Sequence, residues 1–417
     1  MTGQPKFWNR DFLLLYQGGL VSALGDQAYL IALMLWAKEY TASATVNGFI
    51  LFAGGITGLL MPLGGALADR HSRVRMLVLL DAASGVSVLT LAALLWCSSA
   101  VGPLLIPAVL ALAVARGVCM ALFYPVEAAL MPDLVPKQSI AGANSLLEST
   151  TRTVQLLGQS TAGLLYVTLG APLLLLFDGV SFLLSALSET FIREPPREQP
   201  KPHERPSLLT SLREGFRYTG RVRGFRIYLL EASFANFYLA ALTVGLPYYV
   251  VDRLGASPAW YGYISAVMGL GAIVGNQIAN FWRTPGRKRG TIQILSLALF
   301  SGCLIPLAFV RSVWGAMAIL GAAWVCVGFH QVLLMTLVQK RTPAAMRGRV
   351  LGLLAMIRQC LTPIGAATFG LLIDKLAGGV TQVLFWCGVL GLATILIAAA
   401  FPAYRDFFGG AEEEVPA

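Results

Sequence analysis

The groups in this 417-residue chain that could do chemistry are ionisable residues set inside long apolar runs. Asp26 interrupts one such run, and the positions a helical turn away on either side (Ser22, Ala23, Tyr29, Leu30) hold no base. A carboxylate in that setting can exchange a proton near neutral pH or recognise a cation; the plainer alternative is a polar bond to a neighbouring helix. Arg116 lies in the middle of another run and can serve as a standing counter-ion to Asp26 or Glu127. Glu127 and Glu231 stand nearer the ends of their runs, where water could reach them without any special role. Glu148 and Arg152 are four apart with the acid first, the favourable order for a helical ion pair. With Asn144, Gln155 and Gln159 they draw a polar stripe, so that helix must face protein or water. The stripe is a candidate substrate path or a structural zipper. Asn236 and Tyr238 (with Phe234 and Phe237 beside them), His330, and Arg358 with Gln359 are further candidate substrate contacts. A lone intramembrane histidine is more often a helix–helix bond, and Asp178 reads as a group holding helices together.

Other chemistries lack their residues. Six cysteines and three histidines are scattered without metal-ligand spacing, so no metal is expected. There is no G-x-x-x-x-G-K-[ST] loop and no nucleophile constellation, which sets aside ATP driving by a P-loop and makes an enzyme a distant reading. No cofactor is expected beyond a proton gradient.

The elements that must position these residues follow from composition. At 56% hydrophobic and 12% charged, the chain is far too poor in charge for a soluble protein, where about a quarter of residues are charged. At roughly 20 apolar residues per span, it divides into twelve runs: 11–37, 44–68, 75–97, 103–131, 138–168, 171–191, 225–251, 258–282, 290–310, 313–339, 347–373 and 378–402. An all-α membrane protein of twelve helices results. The long polar connection is proline-rich at first and then, over Ser207–Tyr218, spaces Leu208, Leu209, Leu212 and Phe216 as a surface helix. It parts an N-terminal six-helix bundle (1–191) from a C-terminal one (225–402), with 192–224 as linker and 403–417 as tail.

The net charge of +10 is a matter of position. With the N-terminus inside, 24 of the 31 lysines and arginines fall on one side, four on the other and three within spans. This bias places both termini and the central loop in the cytoplasm of a plasma membrane protein, and lipid rather than nucleic acid as the basic groups' partner.

The two halves also look like copies. A shift of 207 residues aligns Pro136 with Pro343, Leu146–Leu147 with Leu353–Leu354, Gly158 with Gly365, and Gly163–Leu165 with Gly370–Leu372. Duplicated six-span halves are the design of major facilitator transporters, with the solute site near the midplane.

The loop from Gly65 to Arg75, G-A-L-A-D-R-H-S-R-V-R, resembles that superfamily's G-x-L-x-D-R-x-G-R signature at Gly65, Leu67, Asp69, Arg70 and Arg73, departing at Ser72. The resemblance implies a conformational latch of Asp69, Arg70 and Arg73 completed by Asp133. It also implies an Arg116 that assists proton transfer. F-Y-P-V-E-A-A-L-M-P-D-L-V-P (Phe123–Pro136), F-D-G-V-S-F-L-L-S-A (Phe177–Ala186) and S-L-R-E-G-F-R-Y (Ser211–Tyr218) are similar to the bacterial drug-efflux branch that includes macrolide and siderophore exporters. Gly158-Gln159 stands where antiporters often carry Gly-Pro. The implied activity is monomeric, proton-coupled export of amphipathic or hydrophobic compounds, with Asp26, Glu127, Glu231 and Arg116 in coupling. Gly25-Asp26 and A-N-S-L-L-E (Ala143–Glu148) also resemble lysophospholipid transporters, so a lipid transporter or flippase of the same fold is the alternative.

Overall fold

The computed structural model describes residues 7–194, 217–220, 222, 224–282 and 288–409. Its helices are α1 (Arg10–Thr41), α2 (Ala44–Ile56), α3 (Met61–Arg70), α4 (Arg73–Trp96), α5 (Ser98–Val101), α6 (Leu105–Leu134), α7 (Ile140–Glu189), α8 (Phe225–Tyr248), α9 (Ala259–Phe281), α10 (Arg289–Leu307), α11 (Val313–Arg341), α12 (Ala344–Lys375), α13 (Gly379–Ala400) and α14 (Pro402–Gly409). No strand occurs among the described residues.

Ten described stretches are long and apolar enough to cross a membrane. One of them, Gly142–Glu189, has 48 residues. At about 1.5 Å per residue it is more than twice as long as a ~30 Å hydrocarbon layer is thick. Its backbone leaves the helical region at Gly170 (φ 75°, ψ 166°), so α7 holds two spans. A 3-10 turn over Thr57–Leu60 joins α2 to α3 as one span, and α12 completes the twelve.

The chain forms two compact units, residues 1–42 with 49–201, and 43–48 with 202–417. The first boundary differs from the expected one because the opening turn of α2 has amides that need acceptors. Asp374 supplies them, accepting from the Ala44 amide at 2.8 Å, the Thr45 amide at 2.9 Å and the Ser43 hydroxyl at 2.6 Å.

In the first unit α1 and α4 both pack on α7, and α6 packs on α3 and α4. Lipid gives helices little reason to associate beyond close packing, so small residues sit at these contacts. Gly158 faces Gln27 of α1, where a Cβ would lie 2.6 Å from the glutamine Cβ; its repeat partner Gly365 faces α8, where a Cβ would lie 2.6 Å from the Phe237 carbonyl. The repeat extends to the turns before α7 and α12, where Pro136 (φ −57°, ψ 142°) and Pro343 (φ −52°, ψ 144°) hold the same extended backbone.

In the second unit α8 packs on α12 and α13, α9 on α11, and α10 on α11 and α13. Residues 402–409 are not a tail. They form α14, which packs on α10 because Tyr404, Phe407 and Phe408 lie at helical spacing and are at most 3% exposed. Phe407 stacks on Phe225 with ring centroids 5.0 Å apart. The expected surface helix over Ser207–Tyr218 lies mostly outside the described residues.

Candidate functional site

The first unit carries a charged group at its centre. Asp26, about halfway along α1, forms an ion pair with Arg116 of α6, their side chains 19% and 14% exposed. Of the two counter-ions that the sequence left open for Arg116, the structure selects Asp26. The guanidinium lies 3.9 Å over the Tyr29 ring and 5.6 Å from the Phe182 ring, a cation–π arrangement worth about 2 kcal/mol when desolvated. Its Nε has no hydrogen-bond partner among the described residues.

A second carboxylate bears on the same arginine. Asp178, in the second span of α7, is fully buried, and neither of its oxygens has a hydrogen-bond partner among the described residues. It interacts electrostatically with Arg116 and Asp26. Gly25 explains how it comes so close: a Cβ there would collide with Asp178 Oδ1 and lie 2.8 Å from Ser181 Oγ. The Gly-Asp pair is therefore one local device, in which the glycine admits the Asp178 carboxylate beside Asp26.

Beside this group is a cavity of about 80 Å³, lined in part by Asp26, Asp81 and Glu127 together with hydroxyls of Tyr16, Ser22, Tyr124 and Thr150. Tyr16 and Thr150 share a hydrogen bond of 2.7 Å across it. Asp81 was not among the sequence candidates. It lies near the start of its span, where a charge attracts little notice; the signal available was its place between Leu80 and Ala82 in an apolar string. Glu189, the last residue of α7 and 1% exposed, was missed for the same reason.

Other candidates are distributed more plainly. Glu148 and Arg152 form their expected pair at 2.9 Å on an exposed face. Gln159 Nε2 donates to Gln27 Oε1 at 3.3 Å, tying α7 to α1, while Gln155 is half-buried on the same helix. Of the latch residues, Arg73 and Asp133 pair at 2.5 Å, and Arg73 also donates to the Ala129 carbonyl at 2.5 Å. Arg70 is exposed, and the side chain of Asp69 lies outside the described residues. Ser72, where the signature carries glycine, sits in extended backbone (φ −62°, ψ 120°) and caps α4 by accepting from the Arg75 amide. Its hydroxyl donates to Glu194, which also accepts from the Arg73 amide at 2.9 Å.

Two of the second-unit candidates, Glu231 and His330, meet side chains of α14, the latter with its ring 6.4 Å from that of Phe408. Glu231 is 5% exposed and accepts a hydrogen bond from Tyr404 of α14 at 3.4 Å. Burial, then the Glu231 carboxylate, push the Tyr404 hydroxyl above its ordinary pKa, so it stays a donor. Gln293 of α10 reaches His330 Nδ1 at 2.7 Å and the His330 carbonyl at 3.1 Å, a helix–helix tie. Asn236 donates to the Ala232 carbonyl one turn back at 2.7 Å, and Tyr238 stacks with Phe234 at 6.4 Å. The side chain of Arg358 lies outside the described residues. Among the described residues no three His, Cys, Asp or Glu side chains are grouped to hold a metal ion.

The described helices make twelve spans in two six-span units, one of them holding a partly buried ion pair, the architecture of a multi-pass membrane transporter. The chain belongs to the Major Facilitator Superfamily, whose family model matches residues 15–366. It is 24% identical over 404 residues to the multidrug efflux pump Tap of Mycobacterium tuberculosis, covering 95% of this chain and 94% of that one. It is 26% identical over 351 residues to the putative bacilysin exporter BacE of Bacillus subtilis, covering 82% and 83%. In fold it is similar to the nucleoside transporter NupG, with a TM-score of 0.73 at 12% identity over 93% of this chain and 98% of that one.

Proposed function

We propose that this transporter exports amphipathic or hydrophobic organic compounds in exchange for protons, by alternating access, with both termini in the cytoplasm of the plasma membrane. The observation that carries the reading is the Asp26–Arg116 pair at mid-span beside a small polar cavity. A proton arriving on Asp26 removes one charge of the pair and frees Arg116 to turn toward Asp178; loss of that proton restores the pair. Such a two-state contact is what a transport cycle needs to convert protonation into a change of helix packing. The drug and antibiotic exporters among its relatives support the direction and the substrate class. The basic residues biased to one side support the orientation. Arg152 is already neutralised by Glu148, which removes one of the two cations that an anionic lipid headgroup would need, so the flippase reading is less favoured.

Inside-out membrane vesicles containing the chain test this with ethidium as probe. An inside-acid pH gradient should drive ethidium uptake, and a protonophore should abolish it. Uptake indifferent to the gradient would overturn proton antiport.

A further inference from the structure

Two buried carboxylates of the first unit have no part in the pair described above. Asp81 and Glu189 are each 1% exposed, and Asp81 Oδ2 and Glu189 Oε2 have no hydrogen-bond partner among the described residues. Neither forms an ion pair with a described base. Facing Asp81 are Asp26 from α1, Cys119, Tyr124 and Glu127 from α6, and Glu189 from α7, all within electrostatic reach. Glu189 in turn is in reach of both Asp81 and Glu127. A single arginine, Arg116, is paired within this set of five carboxylates, Asp26, Asp81, Glu127, Asp178 and Glu189, among the described residues.

The depths of these residues are ordered. At ~1.5 Å per residue, Asp26 lies roughly 24 Å from the start of α1, Asp81 about 12 Å from the start of α4, Glu127 about 10 Å from the end of α6, and Glu189 ends α7. These termini are the ones that the distribution of basic residues assigns to the cytoplasm. The cavity that Asp26, Asp81 and Glu127 share is about 80 Å³. That admits a few waters at ~30 Å³ each and is far below the roughly 300–1,000 Å³ of a pocket for a drug-sized molecule. Its orphan Asp81 oxygen and its hydroxyl lining supply the polar partners a water requires.

We propose that Asp81, Glu127 and Glu189 form a proton relay inside the first unit, joining Asp26 to the end where α7 stops. The proposal rests on the reading of Asp26 as the proton-binding group. A proton leaving Asp26 passes through cavity water to Asp81, on to Glu127 and then to Glu189, which releases it to bulk water. Each hop returns its donor to the carboxylate, and the Asp26 anion re-forms its pair with Arg116.

The test uses the full chain in lipid nanodiscs, with no transported compound present. Infrared absorption of protonated carboxylic acids is followed after a rapid pH jump. Asp81→Asn and Glu189→Gln should each slow proton exchange of the remaining buried carboxyls by about a hundredfold, the low end of what a positioned proton-transfer group contributes. Asp81→Glu should restore the rate, and Asp252→Asn in the second unit should leave it unchanged. If Asp81→Asn does not fold, Glu189→Gln and Asp81→Glu still decide the matter. Variants that lose only their own share of the signal, while the rest exchanges at the parental rate, would overturn the relay. Ethidium flux driven by a pH gradient is measured on the same preparations in liposomes. Fast relay exchange without gradient-driven flux would sink the antiport reading and leave the relay standing.

Discussion

Replacing Asp26 and Asp178 by asparagine, singly and together, probes the central charge cluster most sharply. Arg116 is 14% exposed and carries a full positive charge between two aspartates, one paired with it and one fully buried beside it. Stranding one member of a buried pair costs about 3–5 kcal/mol. In Asp26→Asn the guanidinium still has Asp178, and in Asp178→Asn it keeps its present partner, so each single change should cost well under that figure. The double variant leaves the arginine with no acidic partner in the group. It should be less stable than the sum of the singles by about 2–3 kcal/mol, the upper range for residues in one network. Adding Arg116→Met should recover most of the loss, since apolar replacement of a whole buried ion pair is often neutral or stabilising. Unfolding in mixed micelles, followed by tryptophan fluorescence, measures the cycle. Strict additivity of the two aspartate changes would refute the idea that both serve the same cation.

Other consequences are more local. Gly25→Ala would drive a Cβ against the Asp178 carboxylate; it should cost about 1–3 kcal/mol as overpacking does and lower gradient-driven ethidium flux, both measurable on one preparation. At the latch, the Arg73–Asp133 pair is partly exposed at 12% and 36%, so Asp133→Asn should change unfolding stability by about 0–1 kcal/mol. Arg73→Ala also strips the Ala129 carbonyl of its donor and should cost about 1–3 kcal/mol in the same assay. In the second unit, Phe407→Ala removes a ring packed on both Phe225 and Tyr228. That should cost about 3–5 kcal/mol, against about 0.5–1.5 kcal/mol for Tyr404→Phe, which deletes only the bond to Glu231.

The spans were legible because a bilayer imposes a length on every apolar run, and the observed helices begin and end within a few residues of the expected ones. The break at Gly170 fell between the runs 138–168 and 171–191 for the same reason. The site was legible only residue by residue. Asp26 and Arg116 each stood out as a charge in an apolar run, but their pairing joins positions 90 apart, and spacing alone could not choose between Asp26 and Glu127 as the partner of Arg116. Arg73 with Asp133 was reached through resemblance to a signature loop. Asp81 and Glu189 escaped because a charge near a span end is ordinary until packing shows it to be buried. The helix at 402–409 escaped because its 8 residues are far too few to span a bilayer; Tyr404, Phe407 and Phe408, at helical spacing, carried the signal.

Gradient-driven ethidium transport by the Asp26→Asn variant in proteoliposomes tests the central claim most directly. The account predicts that the variant still binds ethidium and moves it down its own concentration gradient, while an imposed pH gradient no longer drives it uphill. Uphill movement at the parental rate would contradict the account, since the proton would then be coupled somewhere other than Asp26.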